Sequence, residues 1–234
     1  MNYPYNMPQY GGTDFSLSQR VSAVMKSVYL RMTVGLIITA LVSLLAYSQG
    51  FLVFMLQHSF LMWGLAIAEI VLVIAISAGI SKMKSSTALL LFLLFAVING
   101  LSLSPIFAIY TGTSIAKTFF ICAGTFGAMS IYGYTTKTDL SRFGAILFMA
   151  LIGLIICSVV NLFWTSDTFG WIISLAGVAI FVGLTAWDTQ KIKQMAEVMP
   201  ASSIGHLATL GALSLYLDFI NLFLYLLRFF GNRD

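Results

Sequence analysis

LATLGALSLYLDFINLFLYLLRFF, residues 207–230, carries a single charged side chain, Asp218, before Arg228 near its end. A helix needs ~20 apolar residues to cross the ~30 Å hydrocarbon layer, and this run is long enough. Inside lipid the backbone has no water to bond, so such a run satisfies its own N–H and C=O groups by coiling into a helix. Six further apolar segments precede it, at 28–48, 60–80, 87–110, 116–134, 143–164 and 171–190, with the seventh at 206–228. Their connections are short and polar, among them SKMKSS (81–86), TTKTDLSR (135–142), TSDTFG (165–170) and KIKQMAEVMPASSIG (191–205).

The whole composition agrees with that reading. Of 234 residues, 59% are hydrophobic and 9% charged, and the mean hydropathy is +0.96. A soluble domain has ~25% charged residues. A soluble globular domain, a disordered chain and a nucleic-acid-binding module are thereby excluded, and seven spans leave no room for a separate catalytic domain. The expected fold class is an all-α membrane protein, one seven-helix bundle in a lipid bilayer. The expected division is an N-terminal tail and interfacial helix over 1–27 and a single transmembrane domain over 28–234.

Residues 1–13 (MNYPYNMPQYGGT) are polar, so no cleaved signal is expected and the first span serves for insertion. Phe15, Leu17, Val21, Val24, Met25 and Val28 then recur at helical spacing opposite Ser18, Gln19, Ser22 and Lys26, the pattern of a short interfacial helix.

Basic residues report orientation. With the N-terminus inside, Arg20, Lys26, Arg31, Lys82, Lys84, Lys137, Arg142, Lys191 and Lys193 fall on one side, nine of the twelve Lys and Arg. That asymmetry predicts a cytoplasmic N-terminus. Full crossing by segment seven leaves the C-terminus outside, whereas Arg228 and Arg233 favour a re-entrant last segment.

Two features bear on packing. Ala123, Gly127 and Ser130 share one face of segment four, a smooth strip that predicts close approach by a neighbouring backbone. In segment three, Pro105 follows Asn99, Gly100, Ser102 and Ser104 and predicts a break, tolerated where neighbours or water take up the freed carbonyl.

Three acids lie inside the spans: Glu69, Asp188 and Asp218. Each costs at least ~2.5–3.5 kcal/mol at a helix centre on insertion scales, and ionisable residues at such depth mark ion or proton routes. Asp218 has no cation within two turns, and a carboxyl taken out of water alone keeps its proton. Asp188, three residues before Lys191, reads either as half of a surface ion pair or as the partner of Asp218. Two close carboxylates share one proton and titrate as a pair, a pH switch. Depth opposes contact: Asp218 is twelve residues, ~18 Å, past His206, while Asp188 falls near the rim. The pairing needs segment six to sit deeper than its hydrophobic run, or segment seven to project. Glu69 reads as a second acidic station or as a neutral group joining helices.

His58 and His206 are isolated, and Cys122 and Cys157 lie within apolar runs, so neither a metal cluster nor a disulfide framework is expected. No HExxH, phosphate-binding glycine loop or Ser/His/Asp spacing appears, and no enzymatic activity or cofactor is expected. Intramembrane aspartyl proteases carry a Gly-rich motif before their second Asp, where Tyr216 and Leu217 stand here.

The segments INGLSLSPIF (98–107), GYTTKTDLS (133–141), TAWDTQKIK (185–193) and GALSLYLDFINLFLYLLRFFG (211–231) resemble the Bax inhibitor-1 family of membrane proteins. The resemblance implies a seven-helix bundle with the last helix central. It also implies a pH-sensitive calcium leak whose aspartate pair falls on Asp188 and Asp218, with the acid of the second helix on Glu69. Calcium, as the transported ion, would meet Asp188 and Asp218. Some bacterial members latch those aspartates with a basic residue at the end of the second helix; here Ile80 and Ser81 stand there, and Lys82 is the residue placed to substitute. The implied location is a bacterial inner membrane. Proton or monovalent cation conduction fits the residues equally well. A different class of function, restraint of a membrane-bound ATP-dependent protease without transport, is known for some bacterial relatives, and residues 1–13 would supply that contact.

Overall fold

The computed structural model describes residues 11–232; residues 1–10 and 233–234 and the side chains of residues 11–16, 59 and 201 lie outside it, and with them most of the polar leader, the Phe15 side chain and Arg233. Among the described residues the elements are α1 (Gly11–Ser48), α2 (Phe51–Gln57), α3 (Ser59–Gly79), α4 (Ser85–Leu103), α5 (Ile106–Ile109), α6 (Gly112–Thr135), α7 (Ser141–Phe163), α8 (Asp167–Val198) and α9 (Ile204–Phe230). No strand occurs among them, and seven stretches are long and apolar enough to cross a membrane. The chain is an all-α membrane protein.

Segment three breaks at Pro105, between α4 and α5. Proline has no N–H to offer the carbonyl four residues back. That carbonyl, on Leu101, instead accepts the Ser104 amide at 3.2 Å and the Ser104 hydroxyl at 2.8 Å. Ser104 is fully buried, and the break leaves no buried carbonyl at Leu101 without a partner.

Two expected boundaries are displaced. α1 runs unbroken through residue 28 as one helix of 38 residues. Val21, Val24, Met25 and Val28, the face expected at the membrane interface, pack into the protein core with Met32. Polar tethers hold them there: the Arg20 guanidinium donates to the Glu197 carbonyl at 2.5 Å. Arg31 donates to the Gly205 carbonyl at 2.7 Å and to the Thr209 hydroxyl. α8 continues to Val198, eight residues past the end of its hydrophobic run. The polar stretch that looked like a loop stays helical because the connection between α6 and α7 covers it. Gln190 Nε2 donates to the Thr138 carbonyl at 2.9 Å, and Gln190 Oε1 accepts the Leu140 amide at 2.8 Å.

The most deeply buried span is α9, which packs on α1, α3, α4, α6 and α8. α7 packs chiefly on α8. α9 crosses the bundle completely. Its first turn lies against the α3–α4 connection, where His206 Nε2 donates to the Met83 carbonyl at 2.8 Å. Its far end meets the start of α6, where the Asn232 amide donates to the Ser114 hydroxyl at 3.0 Å. A re-entrant last segment is thereby replaced by a full crossing, and the loops carrying Lys82, Lys84 and Lys137 share the face from which α9 starts.

The small-residue strip of α6 plays a different part from the one its spacing predicts. Close backbone approach occurs at Gly133, where an added Cβ would run into the Ala186 carbonyl of α8. At Gly127 a Cβ would meet nothing within 4 Å. Ala123, Gly127 and Ser130 line an open groove between α1 and α6.

Candidate functional site

The added length of α8 removes the depth conflict at the aspartates. Asp188 lies ten residues inside the end of α8 at Val198, ~15 Å at 1.5 Å per residue. Asp218 lies fourteen residues inside the start of α9 at Ile204, ~21 Å by the same measure. The two helices run antiparallel through a turn of five residues, 199–203, and pack on each other more extensively than any other pair. Both acids therefore reach comparable depth on helices that pack against each other.

Their surroundings differ. Asp218 is 5% exposed, and its Oδ2 has no hydrogen-bond partner among the described residues. Asp188 is half-buried. The cation acting on Asp188 is Lys191, one turn along, whose ammonium sits 4.6 Å from the centre of the Trp187 ring. Lys82, the residue placed to latch the pair, is exposed on the α3–α4 connection. Beside Asp188, the buried Thr189 hydroxyl is also unpartnered.

Glu69 does not join the aspartates. It is half-buried on α3, near Tyr216, with Oε1 unpartnered among the described residues. Tyr216 precedes Asp218 by two residues, so the two side chains leave α9 about 200° apart. The Tyr216 hydroxyl donates to Asn99 Oδ1 at 2.9 Å and lies 2.6 Å from Thr39 Oγ1, which itself reaches the Ala96 carbonyl at 2.9 Å. This cluster joins α1, α4 and α9. Sequence reasoning passed over Tyr216 and Thr39. The available signal was the pair of hydroxyls, Thr39 and Ser43, in LIITALVS (36–43) and a polar-tipped aromatic beside the intramembrane acid, since a buried Tyr O–H needs a partner.

Among the described residues no group of three or more His, Cys, Asp or Glu is placed to hold a metal ion. His206 is taken up at the helix end described above. His58 Nδ1 lies 3.1 Å from the Phe54 carbonyl. Cys122 and Cys157 are free thiols. Two carboxylates fall short of the 6–8 oxygens calcium takes, so water would complete the shell of an ion meeting Asp188 and Asp218.

The family model described as inhibitor of apoptosis-promoting Bax1 matches residues 21–234. The chain belongs to the Bax inhibitor-1 family. The inner membrane protein YbhL of Escherichia coli strain K12 is 50% identical over 213 residues, covering 89% of this chain and 91% of that one. A protein of Borreliella burgdorferi is 44% identical over 205 residues, covering 86% and 88%. A membrane protein of Streptococcus pyogenes serotype M3 is 36% identical over 228 residues, covering 96% and 97%. The Bax inhibitor-1 match takes in both aspartates, Glu69 and the Tyr216 cluster.

Proposed function

We propose that this Bax inhibitor-1 family protein is a pH-gated cation leak, with calcium as its ion, switched by the Asp188–Asp218 pair. The observation that supports this reading is the placement of the two acids: a buried carboxyl on α9, one oxygen of which has no partner among the described residues, at a depth comparable to that of Asp188 on the adjoining helix α8. While the pair shares one proton it holds the two helices together. Removal of that proton sets two carboxylates against each other in a medium that screens them poorly. Separation of α8 from α9, or entry of a cation between them, relieves the repulsion. Flux therefore rises with pH. Glu69, across α9, is a second acidic station on the route. The protein has no catalytic activity in this reading and holds no resident cofactor. It lies in an inner membrane, as its Escherichia coli relative does by name, with the N-terminus and the basic loops in the cytoplasm.

Calcium flux into proteoliposomes, measured against pH for wild type, Asp188→Asn, Asp218→Asn and the double variant, tests the gate. Each single substitution should abolish most of the pH response, and the double should add little, because a shared proton belongs to the pair. Additive losses, or wild-type flux that falls as pH rises, overturn it. A wild type without flux at any pH that instead captures a membrane-bound ATP-dependent protease through residues 1–13 would replace the leak with a regulatory role. Cysteine labelling at 111–115 and 165–170 from outside, and at 81–86 and 135–142 from inside, checks the orientation.

A further inference from the structure

α1 and α6 stand apart over much of their length and enclose a groove of about 890 Å³, floored by Phe219 of α9. Its lining on α6 runs from Phe119 to Tyr134, ~22 Å along the helix axis. The two ends differ in chemistry. At one end lie Lys26 and Tyr134. The Lys193 ammonium sits over the Tyr134 ring, 5.0 Å from its centre, and donates to the Tyr134 carbonyl at 3.0 Å. This end lies on the face of the basic loops. The rest is apolar, bounded by Met32, Gly127 and Phe219. Ser130 lines the groove four residues, ~6 Å, below Tyr134. It is 5% exposed, and its hydroxyl has no partner among the described residues. A buried hydroxyl without a hydrogen bond is unfavourable, so its position calls for an acceptor or donor supplied from within the groove.

We propose that the α1–α6 groove binds one anionic phospholipid of the bilayer. The phosphate lies between Lys26 and Lys193, an ester carbonyl accepts the Ser130 hydroxyl below it, and one acyl chain runs along Met32 and Gly127 to Phe219. Basic pockets between membrane helices on the cytoplasmic side suit anionic headgroups. The charge on the mouth selects against a zwitterionic lipid. The missing side chain at Gly127 keeps the channel for the acyl chain open, in contrast to Gly133, which is closed by Ala186. This site stands independently of ion conduction.

Native mass spectrometry of the full chain, delipidated and offered phosphatidylglycerol or phosphatidylethanolamine of matched chains, tests it. Wild type should retain phosphatidylglycerol preferentially. Lys26→Gln, a change at an exposed side chain, should cut that preference about five-fold, the value of one lysine near an anionic surface. Lys84→Gln, an exposed lysine on the same face outside the groove, should leave it unchanged. Gly127→Leu fills open space and should lower retention of both lipids, and glycerol phosphate without acyl chains should fail to compete. Equal retention of the two lipids by wild type, an equal effect of Lys84→Gln, or full retention in a folded Gly127→Leu protein would each overturn the proposal. Competition by glycerol phosphate would reduce it to a surface phosphate site and overturn it as well.

Discussion

On one side of α9 the Tyr216 hydroxyl meets Asn99 and Thr39 at 2.9 and 2.6 Å; on the other, also buried, Asp218 keeps a carboxyl oxygen with no partner among the described residues. Two residues of sequence separate these groups. The first is a satisfied polar network, which in a low-dielectric interior rigidifies what it joins. Its ring also packs edge-on against Phe92 and Phe95, centroids 5.7 and 5.6 Å away. The second is a carboxyl taken out of water with one oxygen lacking a hydrogen bond among the described residues, an unfavourable place for a charge. The difference separates the two faces: α1, α4 and α9 are joined by satisfied polar bonds, and the α8–α9 contact is the face on which the proposed proton switch would act.

The largest expected effect falls on the fixed side. Tyr216→Ala removes a buried ring and its hydrogen bonds and should cost about 3–5 kcal/mol in thermal unfolding in detergent. Asp218→Asn should cost far less in the same assay, because Asn keeps the shape and a hydrogen-bonding group toward α8. Comparable losses would break the comparison. Next, Tyr216→Phe keeps the ring but strips the donor from Asn99, about 1–3 kcal/mol for a buried acceptor left unpaired. Its flux should keep the wild-type pH midpoint, since the proton switch lies on the other face. A displaced midpoint would mean the faces are coupled through α9. Smaller again, Glu69→Gln should lower flux several-fold with the midpoint unchanged; surviving flux with reduced thermal stability would make Glu69 a helix-joining group.

The smallest effect is a control on the titration. Asp139, fully exposed in the α6–α7 connection, accepts the Ser141 amide at 2.9 Å. Hydrogen bonds from Ser141 hold its carboxyl below the usual carboxylate range. A depressed folded value means that its contribution is present above the unfolded pKa of ~3.9 and is lost only as pH falls through the lower folded one. Asp139→Asn should therefore leave the flux profile between pH 5 and 9 unchanged. A moved midpoint would show that acids outside the α8–α9 contact set the response.

Much of the candidate site was legible because charge in an apolar run is conspicuous. Asp218, Asp188 and Glu69 stand out in their spans without any knowledge of packing. The Tyr216 cluster was not legible, because Thr39 and Tyr216 are ordinary residues in membrane helices and only their meeting makes them polar anchors. α8 was read short for a related reason. Lys191, Lys193, Gln194 and Glu197 look like a loop until the α6–α7 connection bonds Gln190, the last residue of the expected span, and the Tyr134 carbonyl takes up Lys193. The strip Ala123, Gly127 and Ser130 was read as a packing face because small side chains permit close approach, but permission does not supply a neighbour.

The sequence by itself determined seven membrane-crossing helices, the side on which most basic residues gather and the depth-defying acids, because insertion into lipid is decided segment by segment from local hydropathy and charge. Tertiary structure alone decided which helices touch. That α8 carries Asp188 to a depth comparable to that of Asp218, that Gly133 meets Ala186 while Gly127 opens onto a groove, and that Tyr216 is satisfied where Asp218 is not all depend on contacts between residues far apart in the chain, and no local pattern encodes them.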